Sequence, residues 1–473
     1  MTLSDRKVNL VKNTAIYALG SFGSKLLQLI LVPYYTRAMT SFEFGFADIL
    51  QAIVAFLYPV ISLSIFDAAF RFGMEKSNDK NAVLSTGVAV TLIGTAILCF
   101  IGVIINIIYP SVYLWLVIFN ALVNCFRTLY SQYTRAIGKT ALFTLDNILL
   151  TAFVLVLNIF FISVLELGAV GYMLGYTLAN ALSALFLILN LKKLAIVKFS
   201  LIKSALVKQM LRFSLPLIPN ALCWWLSSFG SRFFITYFIG ESANGLYAAA
   251  YKIPSLLSVI ASIFFQAWHI SANEEFKKSD IANFYTEIHN LIFCLIVTLS
   301  STLILMSKFI TTVFLGGEYQ NEWFYIPILL IAIAFLSFAQ FLESIYTANK
   351  KTGMAFVTSF ISVSINLILN FLLIKPLGVS GCAIALAVSY FVLWIIRIFN
   401  TGKIISIKYN IPKTLVSILI LVLQAVLIYF KTPFAFVFAF ITLIILLVMF
   451  LGDFKIILNF GTRLLKKFFK RES

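Results

Sequence analysis

Asn158–Gly171 reads NIFFISVLELGAVG, and Asn370–Gly381 reads NFLLIKPLGVSG. Each copy is an apolar helix end, a turn with Gly-x-x-Gly spacing, and the start of a second apolar helix. The copies lie almost half of the 473-residue chain apart. Soluble repeat arrays have much shorter periods, so the duplication reads as two halves of one molecule. In a very hydrophobic chain, that is the sign of a transporter with two bundles around a central site.

Composition sets the class. The chain is 61% hydrophobic and 11% charged, and its mean hydropathy of +1.01 is far above that of a soluble globular protein. A bilayer core needs about 20 apolar residues per helix. Runs of that length read as spans 13–36, 44–70, 83–107, 112–136, 142–165, 168–190, 213–238, 246–271, 286–307, 324–347, 355–374, 379–400, 411–430 and 433–451. Turn chemistry separates them at Tyr109-Pro110-Ser111, Gly316-Gly317, Lys375-Pro376 and Thr432-Pro433. The reading predicts an all-α polytopic membrane protein of about 14 transmembrane helices, in two pseudo-symmetric six-helix bundles around a central cavity plus a C-terminal helix pair. Its segments are an N-terminal bundle at 1–190, a cytoplasmic amphipathic linker at 191–212, a C-terminal bundle at 213–400, the helix pair at 401–451 and a basic cytoplasmic tail at 452–473.

Lys and Arg placement orients the chain. The N-terminus, the 71–82 loop, the 191–212 segment, Lys277, Lys278, Lys350, Lys351, Arg397, Lys403 and the tail all fall on one side. The other side receives only Arg37, Lys308, Lys375 and Lys431. Both termini are therefore expected in the cytoplasm, with the protein in the cell membrane. This asymmetry accounts for most of the +18 net charge, so no nucleic-acid partner is needed. The basic start (Arg6, Lys7, Lys12) runs into a span too long for the apolar core of a cleavable signal. In the linker, Phe199, Ile202, Leu206 and Met210 recur at helical spacing, with Lys198, Lys203, Lys208 and Arg212 on the polar side. That pattern suits an anionic leaflet. The five cysteines stand singly in apolar runs and read as buried free thiols. His269 and His289 are too far apart to suggest a metal site, and no cofactor is expected.

Charges inside the spans are the candidates for function. They are Lys25, Arg127, Arg232 and Lys252, and the acids Asp48, Asp67, Asp146 and Glu343. A charge at the bilayer centre costs about 3 kcal/mol even on the mild insertion scale, so each should face the protein interior or water. Asp67, Asp146 and Glu343 sit near span ends, where a structural role is expected. In the 246–271 span, Tyr251, Ser255, Ser258, Ser262, Gln266 and His269 form one polar face, with Lys252 beside Tyr251. Tyr17, Ser21, Ser24 and Gln28 form a second face beside Lys25, and Asn220, Trp224, Ser227, Ser228 and Ser231 flank Arg232. Such stripes also serve as hydrogen-bonding contacts between helices. Three basic stripes together more naturally line a wet cationic cavity for an anionic guest.

Ser214–Phe276 contains SLPLIPNALCWWL, FGSRFFITYFIG, NGLYAAAYKIPS and IFFQAWHISANEEF. That succession resembles the polysaccharide-unit flippases of the multidrug/oligosaccharidyl-lipid/polysaccharide exporter superfamily. Gly20, Gly23, Lys25, Pro33, Tyr34, Glu43 and Gly45 are similar to that family's first hairpin, and Phe66–Phe72 (FDAAFRF) to the end of its second helix. The resemblance implies two six-helix bundles plus a terminal pair, with the helices that carry Lys25, Asp48, Arg232 and Lys252 lining the cavity. Many relatives carry an acid just before the arginine of the seventh helix, where this chain has Ser231. The resemblance therefore leaves Arg232 without that neighbour.

The expected activity is transport without catalysis: a flippase for polyprenyl-diphosphate-linked oligosaccharide repeat units in surface polysaccharide synthesis, such as capsule or exopolysaccharide. Lys25, Arg232 and Lys252 would hold the diphosphate, with Tyr251, Ser255 and Gln28 at the sugars and Asp48 or Glu343 as ion-coupling carboxylates. The bilayer, a polysaccharide polymerase and glycosyltransferases are the implied partners. One rival is a cation-coupled multidrug exporter of the same superfamily, which the basic residues disfavour. The other is a membrane-embedded glycan polymerase or glycosyltransferase, which usually carries a large catalytic loop, absent from these spans.

Overall fold

A computed structural model of the chain describes residues 30–75, 78–192, 196–275, 280–349 and 352–453; at 263, 266, 267, 269–275, 320–322 and 352 it describes the backbone alone. All regular structure among these residues is helical. A helix, α1, occupies 30–38. Then come α2 (Ser41–Ile61), α3 (Ile65–Met74), α4 (Lys80–Ile108), α5 (Val112–Ala136), α6 (Thr140–Asn158), a π-helical turn (Ile159–Val164), α7 (Gly168–Leu191), α8 (Ser204–Ser214) and α9 (Leu217–Phe238). They are followed by α10 (Glu241–Glu275), α11 (Ile281–Leu305), α12 (Ser307–Phe314), α13 (Ile326–Ala348), α14 (Thr352–Thr401), α15 (Ile411–Tyr429) and α16 (Ala435–Met449).

The ends of these helices follow from local chemistry. At α2, Thr40 accepts from the Glu43 amide at 3.2 Å while the Glu43 carboxylate takes the Thr40 amide at 3.0 Å, a reciprocal cap worth about 1 kcal/mol. Asp79 caps α4 through the Asn81 amide, and Asn410 caps α15 through that of Lys413. The sequence reads 44–70 as one span, but the chain divides it into α2 and α3. Pro59 lies inside α2, and Leu63 and Ser64 then adopt left-handed backbone with φ of 50° and 49°. No hydrophobic pattern reports such a break, because the apolar run continues through it.

The two copies of the quoted repeat share their turn glycines, although the first is two residues longer and passes through the π-helical turn. Gly168 and Gly378 have φ of 48° and 58°, a region open to glycine at little cost. Three residues on, a Cβ at Gly171 would strike the Phe161 carbonyl, and one at Gly381 the Leu373 carbonyl. Aligning the copies on Asn158 and Asn370 makes Phe161 and Leu373 equivalent. Each second glycine thus lets the outgoing helix pass directly over the backbone of the incoming one. In α14 this turn joins two arms, 352–377 and 379–401.

Nine helices among the described residues are long and apolar enough to cross a bilayer, and one of them, Gly353–Thr401, contains both arms of α14. The protein is an all-α, multi-pass membrane protein. Its chain divides into two compact units, Met1–Gly245 and Leu246–Ser473. In the first, Ile65, Val83, Leu129, Tyr133, Leu187 and Met210 form a buried core joining α3, α4, α5, α7 and α8. In the second, α13 is the most enclosed helix, with Leu329, Leu330, Ala332, Phe341, Leu342 and Ile345 fully buried.

Candidate functional site

In the first unit, α2 carries Gly45, Asp48, Ala52 and Phe56 along one face, at spacings of 3, 4 and 4 residues. Each meets α9 or the first turn of α10. Gly45 packs backbone to backbone on that turn: a Cβ there would overlap the Glu241 carbonyl, and one at Gly245 the Ser41 carbonyl. Asn244 donates from Nδ2 to the Gly45 carbonyl at 2.9 Å. Further along, the Trp225 indole donates to the Ala52 carbonyl at 2.7 Å, and its ring packs on Phe56.

Between these contacts lies the main charged pair. Arg232 Nη1 donates to both oxygens of Asp48, at 2.5 and 2.6 Å, and both side chains are only 7% exposed. The guanidinium also lies over the Phe229 ring, 4.8 Å from its centroid. Tyr172 and Tyr176 of α7 lie 4.8 Å apart, their rings tilted by 39°. Tyr35 packs on Tyr172 and accepts from Asn158 Nδ2 at 2.7 Å. The resemblance left Arg232 without an acidic neighbour at Ser231; in the fold its carboxylate partner is Asp48 of α2. Sequence spacing cannot show this pairing, because the partners are 184 residues apart.

Two further ion pairs, each with one buried member, occupy matching places in the repeat. In the first unit, Arg127 of α5 donates to Asp146 at 2.7 Å, Asn147 at 2.8 Å and Ser183 at 3.2 Å, while Ser131 and Ser183 hydrogen-bond to the same Asp146 carboxylate. In the second, Arg397 donates to Glu343 at 2.9 Å, the Ala339 carbonyl at 2.8 Å, Ser359 at 3.1 Å and Thr358 at 3.2 Å. Aligned on the repeat, Arg127 corresponds to Ala339, Ser131 to Glu343, Asp146 to Thr358 and Asn147 to Ser359. Both members of the ion pair thus come from different positions in the two copies: Glu343 falls opposite Ser131, and Arg397 opposite Leu187. The sequence reading counted Arg397 among the basic residues outside the spans, but it is 1% exposed within α14. The apolar run around it (LWIIRIFN) was the available signal.

The remaining candidates sit as follows. Lys252, Tyr251 and Ser255 share α10 in the second unit, all partly buried. Tyr251 packs on Tyr247, and the Ser255 hydroxyl donates to the Lys252 carbonyl at 2.5 Å. Asp48 and Glu343 both hold arginines. Lys25 and Gln28 lie outside the described residues. α9 and α10, at 22 and 35 residues, are long enough to span but fall outside the strongly apolar set because of these polar faces. Cys125, Cys223, Cys294 and Cys382 are buried thiols, and Cys99 is partly exposed.

This architecture is shared with solved transporters. The inward-facing conformation of a multidrug resistance MATE family transporter superposes with a TM-score of 0.64 at 15% identity, over 82% of this chain and 97% of that one. A second superfamily transporter from Pyrococcus furiosus, described by the reverse polarity of its binding pocket, gives 0.60 at 14% identity, over 83% and 95%. The fold is therefore that of the multidrug/oligosaccharidyl-lipid/polysaccharide exporter superfamily. Within it, residues 10–269 match the sequence profile of the polysaccharide biosynthesis protein family, and the chain belongs to that family. A probable low-salt glycan biosynthesis flippase of Haloferax volcanii is 25% identical over 222 residues, 44% of this chain and 46% of that protein. An uncharacterized membrane protein of Methanocaldococcus jannaschii is 25% identical over 190 residues, 39% of this chain and 38% of that protein. The matched stretches span less than half the length of either relative.

Proposed function

We propose that the protein is a flippase that carries polyprenyl-diphosphate-linked oligosaccharide repeat units from the inner to the outer leaflet by alternating access. The observation that carries this reading is membership of a polysaccharide biosynthesis family on the fold of a transporter. Cationic side chains on the two polar helices α9 and α10 support an anionic cargo. In this reading Arg232 exchanges the Asp48 carboxylate for the diphosphate, trading one charge-assisted pair for another. Lys252 and Lys25 supply further positive charge, while Tyr251, Ser255 and Gln28 meet the sugars. Asp48, released from Arg232, becomes the group able to take up a proton or sodium ion; Glu343, held by Arg397, is the weaker candidate for coupling. The termini lie in the cytoplasm, and a polymerase and glycosyltransferases act beside the protein.

The likeness to a multidrug transporter favours one second reading, export of cationic drugs. Lys252 separates the two. Lys252→Glu reverses a charge that would face the diphosphate, at a cost on the order of 4 kcal/mol at 4 Å and an effective dielectric of 20. Lys252→Gln only removes the attraction. Repeat-unit export should fall in the order wild type, glutamine, glutamate, with lipid-linked oligosaccharide retained in the inner leaflet. Efflux of a cationic dye rising in the glutamate strain while glycan export stays constant would establish the drug-export reading instead.

A further inference from the structure

The first unit contains a groove of about 710 Å³ between α2, α4, α5 and α8, lined wholly by apolar side chains. It lies apart from the ion-pair site. On α2 the face toward α9 runs through Asp48, Ala52 and Phe56, whereas Ile53, Leu57 and Val60 turn to the groove, one residue and about 100° further round. On α4 the groove extends from Val90 to Ile105, about 22 Å at 1.5 Å per residue. A surface with so little polar content gains nothing from water, so within a bilayer it is filled by hydrocarbon.

Its Val90 end is closed by the amphipathic helix α8, whose three faces divide the work. Met210 is buried in the core, Val207 and Leu211 line the groove, and Lys208 and Arg212 next to them are exposed. Lys203, just before the helix, is exposed as well, and α8 itself contains no acidic residue. An apolar slot with a cationic rim at one end matches a single lipid chain below an anionic headgroup. The groove is longer than one leaflet, about half of the roughly 30 Å hydrocarbon core, so it takes an acyl chain at full length. Its volume falls within the roughly 300–1,000 Å³ of small-ligand pockets and suits one such chain.

We propose that this groove is a binding site for an anionic phospholipid of the bilayer, seated with one acyl chain between α2 and α4 and its phosphate on Lys208 and Arg212. The site is distinct from the one proposed for cargo and does not depend on it. The test is native mass spectrometry of the purified full-length protein, stripped of lipid and then supplied with phosphatidylglycerol, phosphatidylcholine or a polyprenyl phosphate. Two variants accompany the wild type. Ile97→Trp fills the groove from a half-exposed wall position, and the double variant Lys208→Gln, Arg212→Gln discharges the rim. Thermal melting without added lipid confirms that both fold.

Phosphatidylglycerol should be retained over phosphatidylcholine. Rim discharge should weaken that retention by about tenfold or more, since each basic residue near an anionic surface contributes about 1 kcal/mol. The tryptophan should weaken retention of both phospholipids. Equal retention of the two phospholipids by wild type, or retention unmoved by both variants, would overturn the proposal. Preference for polyprenyl phosphate would overturn it too, by assigning the groove to cargo.

Discussion

Arg232 and Asp48 define the chemistry at the residue scale. Both are nearly excluded from solvent, so each is the other's principal compensation for lost hydration. Removing one partner strands the other, at a cost of about 3–5 kcal/mol. Arg232→Ala and Asp48→Asn should therefore each lower thermal stability in detergent, and Arg232→Ala should lower membrane abundance together with transport. The double variant Asp48→Asn, Arg232→Gln removes both charges and should recover most of the stability. Transport should stay low in the double variant if Arg232 holds the cargo and return if the pair is only a clamp. A stability deficit in the double variant equal to the sum of the single deficits would show that the two side chains do not act as a pair. Individual residues were legible only in part. Arg232 stood out as a charge within an apolar run, yet its partner was hidden, because a contact between α2 and α9 leaves no trace in local spacing.

At the scale of elements, hydropathy located most helices well and failed where the backbone departs from helix without a change of polarity. The 112–136 span coincides with α5, whereas the 44–70 span conceals the turn at Leu63 and Ser64. Glycines report a different constraint. Gly-x-x-Gly was visible as a repeated spacing, but for Gly45 and Gly245 the sequence showed only a family resemblance and no contact. Their role appears only when α2 and the first turn of α10 are seen in backbone contact. Alanine at either position must drive the two helices apart. Gly45→Ala and Gly245→Ala should thus each cost more than the roughly 1 kcal/mol of a small overpacking change and reduce folded protein in the membrane. Gly353→Ala, whose added methyl meets nothing within 4 Å, should leave expression and melting temperature unchanged. Normal melting in all three would disprove the close approach.

For the whole molecule, the duplication was legible because the turn glycines are required by backbone geometry and cannot drift. The ion pairs were not, because the two copies meet the same requirement with different residues. In the first unit the arginine comes from α5 and the carboxylate from α6; in the second, the arginine comes from the 379–401 arm and the carboxylate from α13. Neutral positions in one copy are charged in the other, as with Ser131 and Glu343. An alignment of the halves therefore shows mismatches at the very sites that do the same work.

That exchange makes the halves incompatible as spare parts. Grafting 378–401 in place of α7 would set Arg397 beside Arg127, two guanidiniums facing the single Asp146 carboxylate. The reciprocal graft would put Leu187 where Arg397 stands and leave the half-buried Glu343 without its arginine. Both chimeras should be degraded rather than inserted stably, as judged by immunoblot of membrane fractions. Adding Arg127→Ala to the first, or Glu343→Ser to the second, should restore a measurable share of the protein. Each copy's charges are matched to partners within its own unit, so a change at one member of a pair calls for a compensating change at the other.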